Sequence, residues 1–400
     1  MREVVFVDVA RTAFGRRGGA LKDFLSVELG GLAIRGLLEK TKILEKAKVD
    51  SLICGGAFGT VNSWAPARYI SQCAGLPFET SASWVEMQCG SAIDSINHAA
   101  WKILANAADV VIAGGVESHS QFFAKFSCSV APYKSIMPAA VPQSLSPFAE
   151  QDLSMLEVSD GMARKWGVTR EECDEFALAS QQRAFAAQSK GYFKEEIVPV
   201  TIRGGKGKPD TVFDTDEHLR PETTLEGLSK LKAVLGPDGF TTAGNASGTN
   251  DGAAFVLMMT GEKAKELGYE PIARWVVGAD YGVEPRYMGI GPAFSNLLAL
   301  KRAGLTVKDM SVIECNEAFA AQNLSVIKEM ESQIGYSIDR SLWNPNGGAI
   351  AFGHPNGASG ARIAMFAMNE LVRNGGRYGI FGACCGGGHG VSAVIENLRR

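Results

Sequence analysis

The chain has 400 residues, more than one hydrophobic core usually organises, so we expect two or more packed units. The formal net charge is −3 and basic residues are scattered along the chain, which argues against a nucleic-acid-binding protein. No apolar run approaches the roughly 18 to 20 residues of a membrane span. The strand-like start carries acidic residues, so we do not expect it to be a signal peptide. We therefore expect a soluble, cytoplasmic protein that binds neither membranes nor nucleic acid.

The first third of the chain alternates predicted strands with predicted helices, which indicates a layered α/β fold. The predicted strands cover residues 4–9, 51–56 and 109–115, and the predicted helices cover 25–40 and 92–104. Cys89 would lie at the start of the second helix, where the helix dipole favours a thiolate and depresses the pKa of about 8.5 that a free thiol has. A lone cysteine at such a place is more often structural, so both interpretations stay open.

The alternation of predicted strands and helices is interrupted between Ser118 and Thr249. Four prolines divide the 130s and 140s into irregular segments, residues 161–191 read as helical, and residues 204–209 form a basic, glycine-rich loop. Core-strand character returns at residues 251–260. We predict a loop domain inserted at 118–249, between an N-terminal core half at 1–117 (completed by 250–272) and a C-terminal core half at 273–400.

The last third repeats the layout of the first. His354 stands in a glycine-rich turn before a buried helix at 361–372, and a strand at 377–382 follows. Cys89 likewise precedes a helix and a strand. The pattern predicts an internal duplication, with the two halves related by a pseudo-twofold axis.

Few residues outside these turns indicate a catalytic or metal-binding function. The eight cysteines include no CxxC pair and the histidines show no ligand spacing, so we expect no zinc site. Cys384 and Cys385 precede three glycines, a loop whose N–H groups could hold either a phosphate or an oxyanion. The motif that starts at Asn316 follows a predicted strand and begins a predicted helix, which makes a second corner that presents polar groups.

Five short motifs of the chain resemble, in the same order and at fitting spacings, the motifs of thiolases. They are Cys89-Gly90-Ser91, Gly244-Asn245-Ala246-Ser247-Gly248, Asn316-Glu317-Ala318-Phe319-Ala320, Gly353-His354-Pro355 and Cys384 before Gly386-Gly387-Gly388. The resemblance covers essentially the whole chain. It implies a duplicated α/β/α/β/α layered fold with an inserted loop domain.

The resemblance also implies a reaction, the reversible Claisen condensation of two acyl-CoA molecules and, in reverse, thiolysis of a 3-ketoacyl-CoA by CoA. Cys89 would be acylated, and His354 would take its proton. Cys384 would remove a proton from the α-carbon of the second acyl-CoA. Asn316 would hold a water in one oxyanion hole with His354, and the N–H groups of Cys89 and Gly386 would form the other.

The same resemblance implies where coenzyme A binds. Arg220 would lie at its adenine end and Ser247 at its pantetheine arm, with Met155, Ala318 and Phe319 completing the binding surface. CoA and acyl-CoA are then substrates, no metal or redox cofactor is required, and a homodimer or homotetramer is expected.

Several positions depart from the common thiolase pattern. Ala92, Asn356 and Phe352 stand where glycine, an apolar residue or threonine, and a smaller aliphatic residue are usual, and of a usual His-Met-Gly only Met155 remains. The covering segment is aromatic, with Phe122, Phe123, Phe126, Tyr133 and Phe148. These residues indicate either ordinary packing or a modified acyl pocket. In both cases specificity for acetyl groups alone is in doubt.

Two other functions compete with the thiolase interpretation. A ketoacyl-synthase-type condensing enzyme shares the fold and the nucleophilic cysteine, but it uses histidines or a histidine and an asparagine, and a cysteine at 384 argues against it. A catalytically silent thiolase-like subunit that binds a lipid or a partner would lack Cys89, His354 or Cys384. All three are present.

Overall fold

The structure, a computed structural model, describes residues 2–60, 62–127, 139–205 and 207–400. The strands are β1 (Val4–Thr12), β2 (Gly15–Arg16), β3 (Ser51–Gly55), β4 (Ser81–Val85), β5 (Val110–Ser118), β6 (Ile197–Val198), β7 (Val200–Ile202), β8 (Thr211–Phe213), β9 (Asn250–Thr260), β10 (Ala273–Gly282), β11 (Met310–Cys315), β12 (Tyr378–Cys385) and β13 (His389–Asn397). The helices are α1 (Ser26–Thr41), α2 (Ile43–Lys46), α3 (Pro66–Ala74), α4 (Ser91–Leu104), α5 (Met155–Trp166), α6 (Arg170–Ser189), α7 (Leu225–Ser229), α8 (Gly261–Glu266), α9 (Gly291–Ala303), α10 (Ala320–Ile334), α11 (Ala349–Phe352) and α12 (Asn356–Asn374). Short 3₁₀ turns cover Gln88–Gly90, Pro285–Ile290 and Val307–Asp309.

One long mixed sheet organises the described ranges. Its strand order is β11-β12-β13-β10-β1-β9-β5-β3-β4, with β2 added to β9 and β6 added to β1. The N-terminal strands meet the C-terminal strands where β1 pairs antiparallel with β10, from Val4 opposite Trp275 to Phe6 opposite Ala273. The sheet is therefore continuous across the two halves of the chain.

The two halves have the same internal order. In the first, β3 lies parallel to β5, which is antiparallel to β9. In the second, β11 lies parallel to β12, which is antiparallel to β13. Ile313 also forms a parallel bridge to Trp343, at the place where β4 pairs with β3 in the first half. This correspondence agrees with the predicted duplication and layered α/β fold.

Buried apolar residues form three main clusters that match three helical layers. The central cluster joins α4 and α12 to strands of both halves, an outer cluster joins α1 and α3 to the N-terminal strands, and another joins α9 and α10 to the C-terminal strands. Helices thus cover the sheet outside and fill the space between its halves. These are the layers of the predicted α/β/α/β/α arrangement.

Small residues let α12 approach its neighbours in the central layer. A Cβ atom added to Gly360 would lie 2.7 Å from the backbone N of Ile93 in α4, and one added to Gly357 would lie 2.3 Å from the carbonyl oxygen of Val116 in β5. Real Cβ atoms do not come this close to backbone. The starts of α4 and α12 are therefore held side by side.

A long segment between β5 and β9 carries α5, α6, α7 and the small strands β6 to β8. It is fastened to β1 by Arg11, which is fully buried between two carboxylates: Nε donates to Glu196 Oε1 over 2.7 Å, and Nη1 to Asp216 Oδ1 over 2.7 Å. The division into 1–117 with 250–272, 118–249 and 273–400 stays a proposal. No helix in the described ranges is long and apolar enough to cross a membrane.

Candidate active site

Cys89 lies in a 3₁₀ turn that runs directly into α4. Gln88, just before it, has a φ of 46°, a left-handed conformation that costs a residue with a side chain some strain. The Ser91 hydroxyl fixes this turn, because it accepts from Met87 N at 2.9 Å and donates to Gln88 O at 2.6 Å. The local sequence thus presents the Cys89 thiol at the start of a buried helix, as predicted.

The electrostatics of Cys89 differ from the expectation. Burial raises the pKa of its thiol to about 11, opposed by a hydrogen bond from Asn356 and by the N–H groups of Cys89 and Gly386, and Glu117 raises it further. The predicted depression of this pKa by the helix start is wrong. Burial outweighs it because a thiolate loses more hydration than these donors return.

His354 is oriented by its own loop. Gly353, with a φ of 89°, makes the turn, and the His354 N–H donates to Gly248 O over 3.1 Å. Ser359 Oγ donates to Pro355 O at 3.1 Å and lies 2.6 Å from His354 Nδ1, so Nδ1 carries the proton and Nε2 is the basic nitrogen. Burial lowers the pKa of His354 to about 3, and the imidazole is therefore neutral.

Asn316 lies against that basic nitrogen. Its Nδ2 is 3.3 Å from His354 Nε2, and its buried Oδ1 has no hydrogen-bond partner among the described residues. Asn316 follows β11 in a short loop, and α10 begins only at Ala320. The structure thus brings Asn316 and His354 together, although 38 residues separate them in the sequence.

The loop with Ser247 packs against the loop with Ala318 and Phe319. Ser247 N donates to Ala318 O at 3.0 Å, and Phe319 forms an antiparallel bridge with Ala246. Together with the bond from His354 to Gly248, these contacts join three of the five motifs. Ser247, Ala318 and Phe319 therefore lie beside the histidine.

Cys384 and Cys385 end β12 and face opposite sides of the sheet. Cys384 belongs to the outer cluster under α9 and α10, whereas Cys385 belongs to the central cluster and lies close to Gly90. Burial raises the pKa of both thiols well above the ordinary value, and the neighbouring Cys89 raises them further. Gly386 follows directly, with its N–H near the Cys89 sulfur.

A cavity of about 570 Å³ opens beside Cys89. The described residues that line it are Ala57, Phe58, Gly59, Trp84, Glu86, Gln88, Cys89, Phe122, Phe123, Lys125, Gln143, Ser144, Leu145, Met155, Asn356 and Gly386. Asn356, Phe122 and Phe123 are departures predicted to alter the pocket, and Met155 was predicted to bind CoA.

The other departures have different surroundings. Phe352 is fully buried and packs edge-to-face on Phe193 and Phe366, away from this cavity, so the interpretation of Phe352 as a pocket residue is wrong. Phe126 and Phe148 are exposed and do not line it. Tyr133 lies outside the described residues.

Arg220 lies at a second, smaller cavity of about 190 Å³. His218, Thr223, Leu228 and Gly244 also line it. Burial lowers the pKa of His218 to about 4, so Arg220 supplies the positive charge at this cavity. Arg220 does not line the Cys89 cavity. A ligand that occupies both cavities must therefore be long enough to extend from one to the other.

Two site residues were not found from the sequence. His119 Nε2 lies 2.7 Å from Asn356 Oδ1, and Glu117 accepts from Gly357 N at 3.1 Å and Ala57 N at 3.0 Å. The sequence feature that could have identified them is the polar run Glu-Ser-His at the end of the apolar strand β5. Polar groups at the carboxyl end of a buried strand are typical of α/β sites.

A cysteine at a helix start, a neutral histidine oriented by Ser359 and a second cysteine on a glycine loop define a class of enzyme, the acyltransferases that work through a thioester. The match to known proteins specifies it further. The family model for the thiolase N-terminal domain matches residues 4–262, and that for the thiolase C-terminal domain matches residues 269–397.

Characterised relatives agree with this match. The chain is 42% identical to beta-ketoadipyl-CoA thiolase of Acinetobacter baylyi over 100% of both chains, and 41% identical to acetyl-CoA acetyltransferase of Chromobacterium violaceum over 98% of this chain and 99% of that one. It is similar to the crystal structure of human mitochondrial 3-ketoacyl-CoA thiolase in complex with CoA, with a TM-score of 0.89 and 39% identity over 99% and 98% of the two chains. The chain belongs to the thiolase family, and it is an acyl-CoA acyltransferase.

Proposed function

We propose that Cys89 is the nucleophile of this thiolase and His354 the base that activates it. The Cys89 sulfur attacks the thioester carbonyl of an acyl-CoA, and His354 Nε2 accepts the thiol proton and returns it to the departing CoA sulfur. The developing oxyanion lies between donors, the backbone N–H groups of Cys89 and Gly386. The observation that carries this proposal is that Asn356, which follows His354 and Pro355 in the chain, and the N–H group of Gly386, which follows Cys384 and Cys385, both lie against the buried Cys89 sulfur.

Cys384 then acts on the second acyl-CoA. His354 Nε2 takes the thiol proton of Cys384, and the Cys384 thiolate removes a proton from the α-carbon. The resulting enolate attacks the acyl group on Cys89, which forms a carbon–carbon bond and releases the Cys89 sulfur, and this sulfur recovers a proton from His354. Asn316 and His354 stabilise the enolate oxygen, Asn316 through a water that its unpartnered Oδ1 can accept from. The reverse sequence is thiolysis of a 3-ketoacyl-CoA by CoA.

The remaining predicted residues form the CoA path in this proposal. Arg220 binds the adenine end at the smaller cavity, and Ser247 contacts the pantetheine arm near His354. Ala318 and Phe319 support that arm, and Met155 lines the cavity beside Cys89. CoA and acyl-CoA are then the substrates, and the mechanism uses no resident cofactor.

Acylation tests the proposal directly. After mixing with acetyl-CoA, mass spectrometry should place one acetyl group on the peptide that contains Cys89, and Cys89→Ala should abolish thiolysis of acetoacetyl-CoA. Labelling mainly on Cys384 or Cys385 would reverse the assigned roles. Cys54→Ala is a matched control, because Cys54 is an equally buried thiol in β3 and should not change activity.

The Cys89 cavity supports acyl groups longer than acetyl. A volume of about 570 Å³ lined by Phe58, Trp84 and Phe122 exceeds the space that an acetyl group needs. We expect a graded preference, since one methylene in an apolar pocket decides only about 1 to 3 kcal/mol. A panel of linear, branched and aromatic 3-ketoacyl-CoAs measures it. A large kcat/KM advantage for acetoacetyl-CoA over all others would contradict this substrate proposal.

Lys125 favours one particular subset of these substrates. It is a basic residue that lines the cavity. A relative with 42% identity is named beta-ketoadipyl-CoA thiolase, and the acyl chain of beta-ketoadipyl-CoA ends in a carboxylate. Glu86 opposes this attraction, but Gln88 N and Nε2 hold its carboxylate. If Lys125 binds the distal carboxylate, Lys125→Met should raise KM for 3-oxoadipyl-CoA and leave KM for 3-oxohexanoyl-CoA unchanged.

We also propose a homodimer or homotetramer in a reducing, cytoplasmic compartment. β4 is the end strand of the sheet and is only partly buried, which supports pairing with a second copy. The described cysteines are all free, which supports a reducing environment. Light scattering during size-exclusion chromatography measures the assembly, and a mass of one chain would contradict the dimer.

A further inference from the structure

A chain of hydrogen bonds reaches the Cys89 sulfur from a direction that the proposed roles leave unexplained. Asn356 Nδ2 lies 3.0 Å from Cys89 Sγ, and Asn356 Oδ1 lies 2.7 Å from His119 Nε2. Among the described residues, Asn356 is the side chain hydrogen-bonded to this sulfur. The chain connects β5, α12 and the turn before α4.

The protons of this chain have one consistent arrangement. Asn356 points its amide nitrogen at the sulfur and therefore donates to it, which leaves its carbonyl oxygen to accept. His119 must then carry a proton on Nε2. Burial lowers the pKa of His119, so the ring is neutral and has its single proton on that nitrogen. His119 thus fixes which end of the Asn356 amide faces Cys89.

The position of His119 is itself fixed. The ring is buried and packs edge-to-face on Phe58, with the centroids 5.4 Å apart. The neighbouring Ser120 N donates to Asp251 Oδ1 at 2.8 Å, which anchors the end of β5 to β9. An amide held by a packed and anchored donor loses little freedom when it binds the sulfur.

Other charges surround the pair and must be weighed. The titratable or charged groups near the Cys89 sulfur or the His119 ring are Glu117, Cys384, Cys385, Asp251, Arg17 and His354, and Glu86 and Lys125 line the cavity beside the sulfur. Glu117 disfavours a Cys89 thiolate, whereas Cys384 and Cys385 have raised pKa values and remain neutral thiols beside it. The amide of Asn356 is the strongest of the opposing influences on it.

We propose that Asn356 is a further catalytic residue, which donates a hydrogen bond to the Cys89 thiolate, and that His119 is a positioning residue which orients it. This inference rests on the proposed role of Cys89 as the nucleophile. His354 removes the thiol proton, and the Asn356 amide stabilises the negative sulfur that remains. The pair supplies a thiolate donor beside the backbone N–H groups of Cys89 and Gly386.

Alkylation of Cys89 by iodoacetamide tests the pair without turnover, because the thiolate is the reacting form. The rate at Cys89, followed by peptide mass spectrometry from about pH 6 to about pH 10, reports the fraction of thiolate at each pH. Asn356→Leu should lower the rate at neutral pH about tenfold, since a charge-assisted hydrogen bond is lost. Asn356→Asp should lower it further, because the isosteric carboxylate repels the thiolate.

His119 requires a rescue experiment. His119→Met should shift the alkylation profile in the same direction by a smaller amount, because the amide is no longer oriented. His119→Gln should restore the wild-type profile, since its amide N–H replaces the Nε2–H donor. Asn369→Leu is the matched control: Asn369 lies in the same helix α12 and bonds Glu196, far from the sulfur, and its substitution should leave the profile unchanged.

The outcomes separate this inference from the proposed function. Thermal unfolding checks that the Asn356→Leu and Asn356→Asp proteins are folded. If both folded variants have the wild-type alkylation profile, the proposed action of Asn356 and His119 on the sulfur is overturned. A His119→Gln profile as shifted as that of His119→Met would overturn the orienting role of His119. Thiolysis retained by Cys89→Ala would instead overturn the proposed function, while the alkylation profiles would still decide whether Asn356 and His119 act on the sulfur.

Discussion

At the scale of single residues, the site combines buried acids that resist ionisation with donors that favour it. Glu117 is the clearest case. Burial raises the pKa of its carboxyl group to about 8, although the N–H groups of Ala57 and Gly357 oppose this. Because the same carboxyl lies near Cys89, its charge state also affects the pKa of the Cys89 thiol.

Glu117 should make the stability of the protein depend on pH. The ordinary pKa of a glutamate is 4.5 and the folded value is about 8, so the folded protein binds more protons between these values. The contribution of Glu117 to the free energy of unfolding is fully present below the unfolded pKa. It is lost as pH rises through the folded pKa, by at most about 1.4 kcal/mol per pH unit. Glu117→Gln keeps an acceptor for both N–H groups but does not titrate. Its free energy of unfolding, from denaturant titrations at several pH values, should fall less across this window; an unchanged slope would assign the dependence to other groups.

The two adjacent thiols should separate the two half-reactions. Cys384→Ser should still form the acyl-enzyme on Cys89, but it should lose α-proton exchange and condensation by several orders of magnitude, because serine is a far weaker base. Cys385→Ala should cost much less, mainly through packing in the central cluster. Acyl-enzyme formation, deuterium exchange into acetyl-CoA and full turnover distinguish the two variants. Normal turnover by Cys384→Ser would move the assignment to the neighbouring cysteine.

The sequence predicts those residues whose position depends on local pattern. The positions of Cys89 before a helix and of His354 in a glycine turn follow from spacing, and the structure confirms both placements. The contact between His119 and Asn356 joins residues 237 apart, and only the packing of β5 against α12 brings them together. The raised pKa of Cys89 was likewise missed, because burial is a property of the assembled fold.

At the scale of elements, the start of α12 is held by its contact with α4. Gly360 should tolerate no side chain, because a Cβ would lie 2.7 Å from Ile93 N and 3.2 Å from the Ala92 methyl carbon. Gly360→Ala should lower the free energy of unfolding by about 1 to 3 kcal/mol. It should also lower kcat, because α12 carries Asn356 and α4 follows Cys89.

Gly161 provides the control for that substitution. It lies inside α5 with nothing within 4 Å of an added Cβ. Gly161→Ala should therefore raise the free energy of unfolding, by up to about 1 kcal/mol, since alanine is the better helix former. Denaturant unfolding of both variants measures the contrast. Equal stability changes would show that the α4–α12 contact adjusts without strain.

Element boundaries show where local pattern stops being sufficient. The predicted helix at 361–372 spans Asn356–Asn374 in the structure, because Pro355 fixes its start and Gly375 its end. The Asn316 motif was predicted to begin a helix, but α10 begins only at Ala320. The intervening residues bond the Ser247 loop instead, a tertiary contact that the sequence does not reveal.

At the scale of the whole molecule, Arg11 fastens the long segment before β9 to the central strand. Arg11→Met should leave Glu196 and Asp216 buried without their partner and lower the free energy of unfolding by about 3 to 5 kcal/mol. Lys230→Met removes an exposed pair with Glu226 and should cost less than about 1 kcal/mol. Denaturant titration of both proteins compares them. A loss as small as that of Lys230→Met would mean that Arg11 does not fasten the segment.

The duplication of the layers could be predicted from the sequence, but the strand pairing that connects the two halves could not. Repetition of a motif, a helix and a strand is visible in the sequence of each half. The pairing of β1 with β10 is not, because it depends on the antiparallel register of Val4 with Trp275 rather than on any pattern within either strand.

The position of β1 in the middle of the sheet has a consequence for how the protein is made. The Thr12 hydroxyl at the end of β1 accepts from Ala253 N, 241 residues later in the chain. At a synthesis rate of about 5 to 20 residues per second, β1 waits on the order of ten to fifty seconds for that partner to leave the ribosome. During this interval its apolar face and both of its edges lack their final neighbours. The nascent N-terminal half should therefore depend on chaperone protection until β9 emerges, and ribosome-bound chains that stop before residue 250 should be far more sensitive to protease than chains that extend past β9.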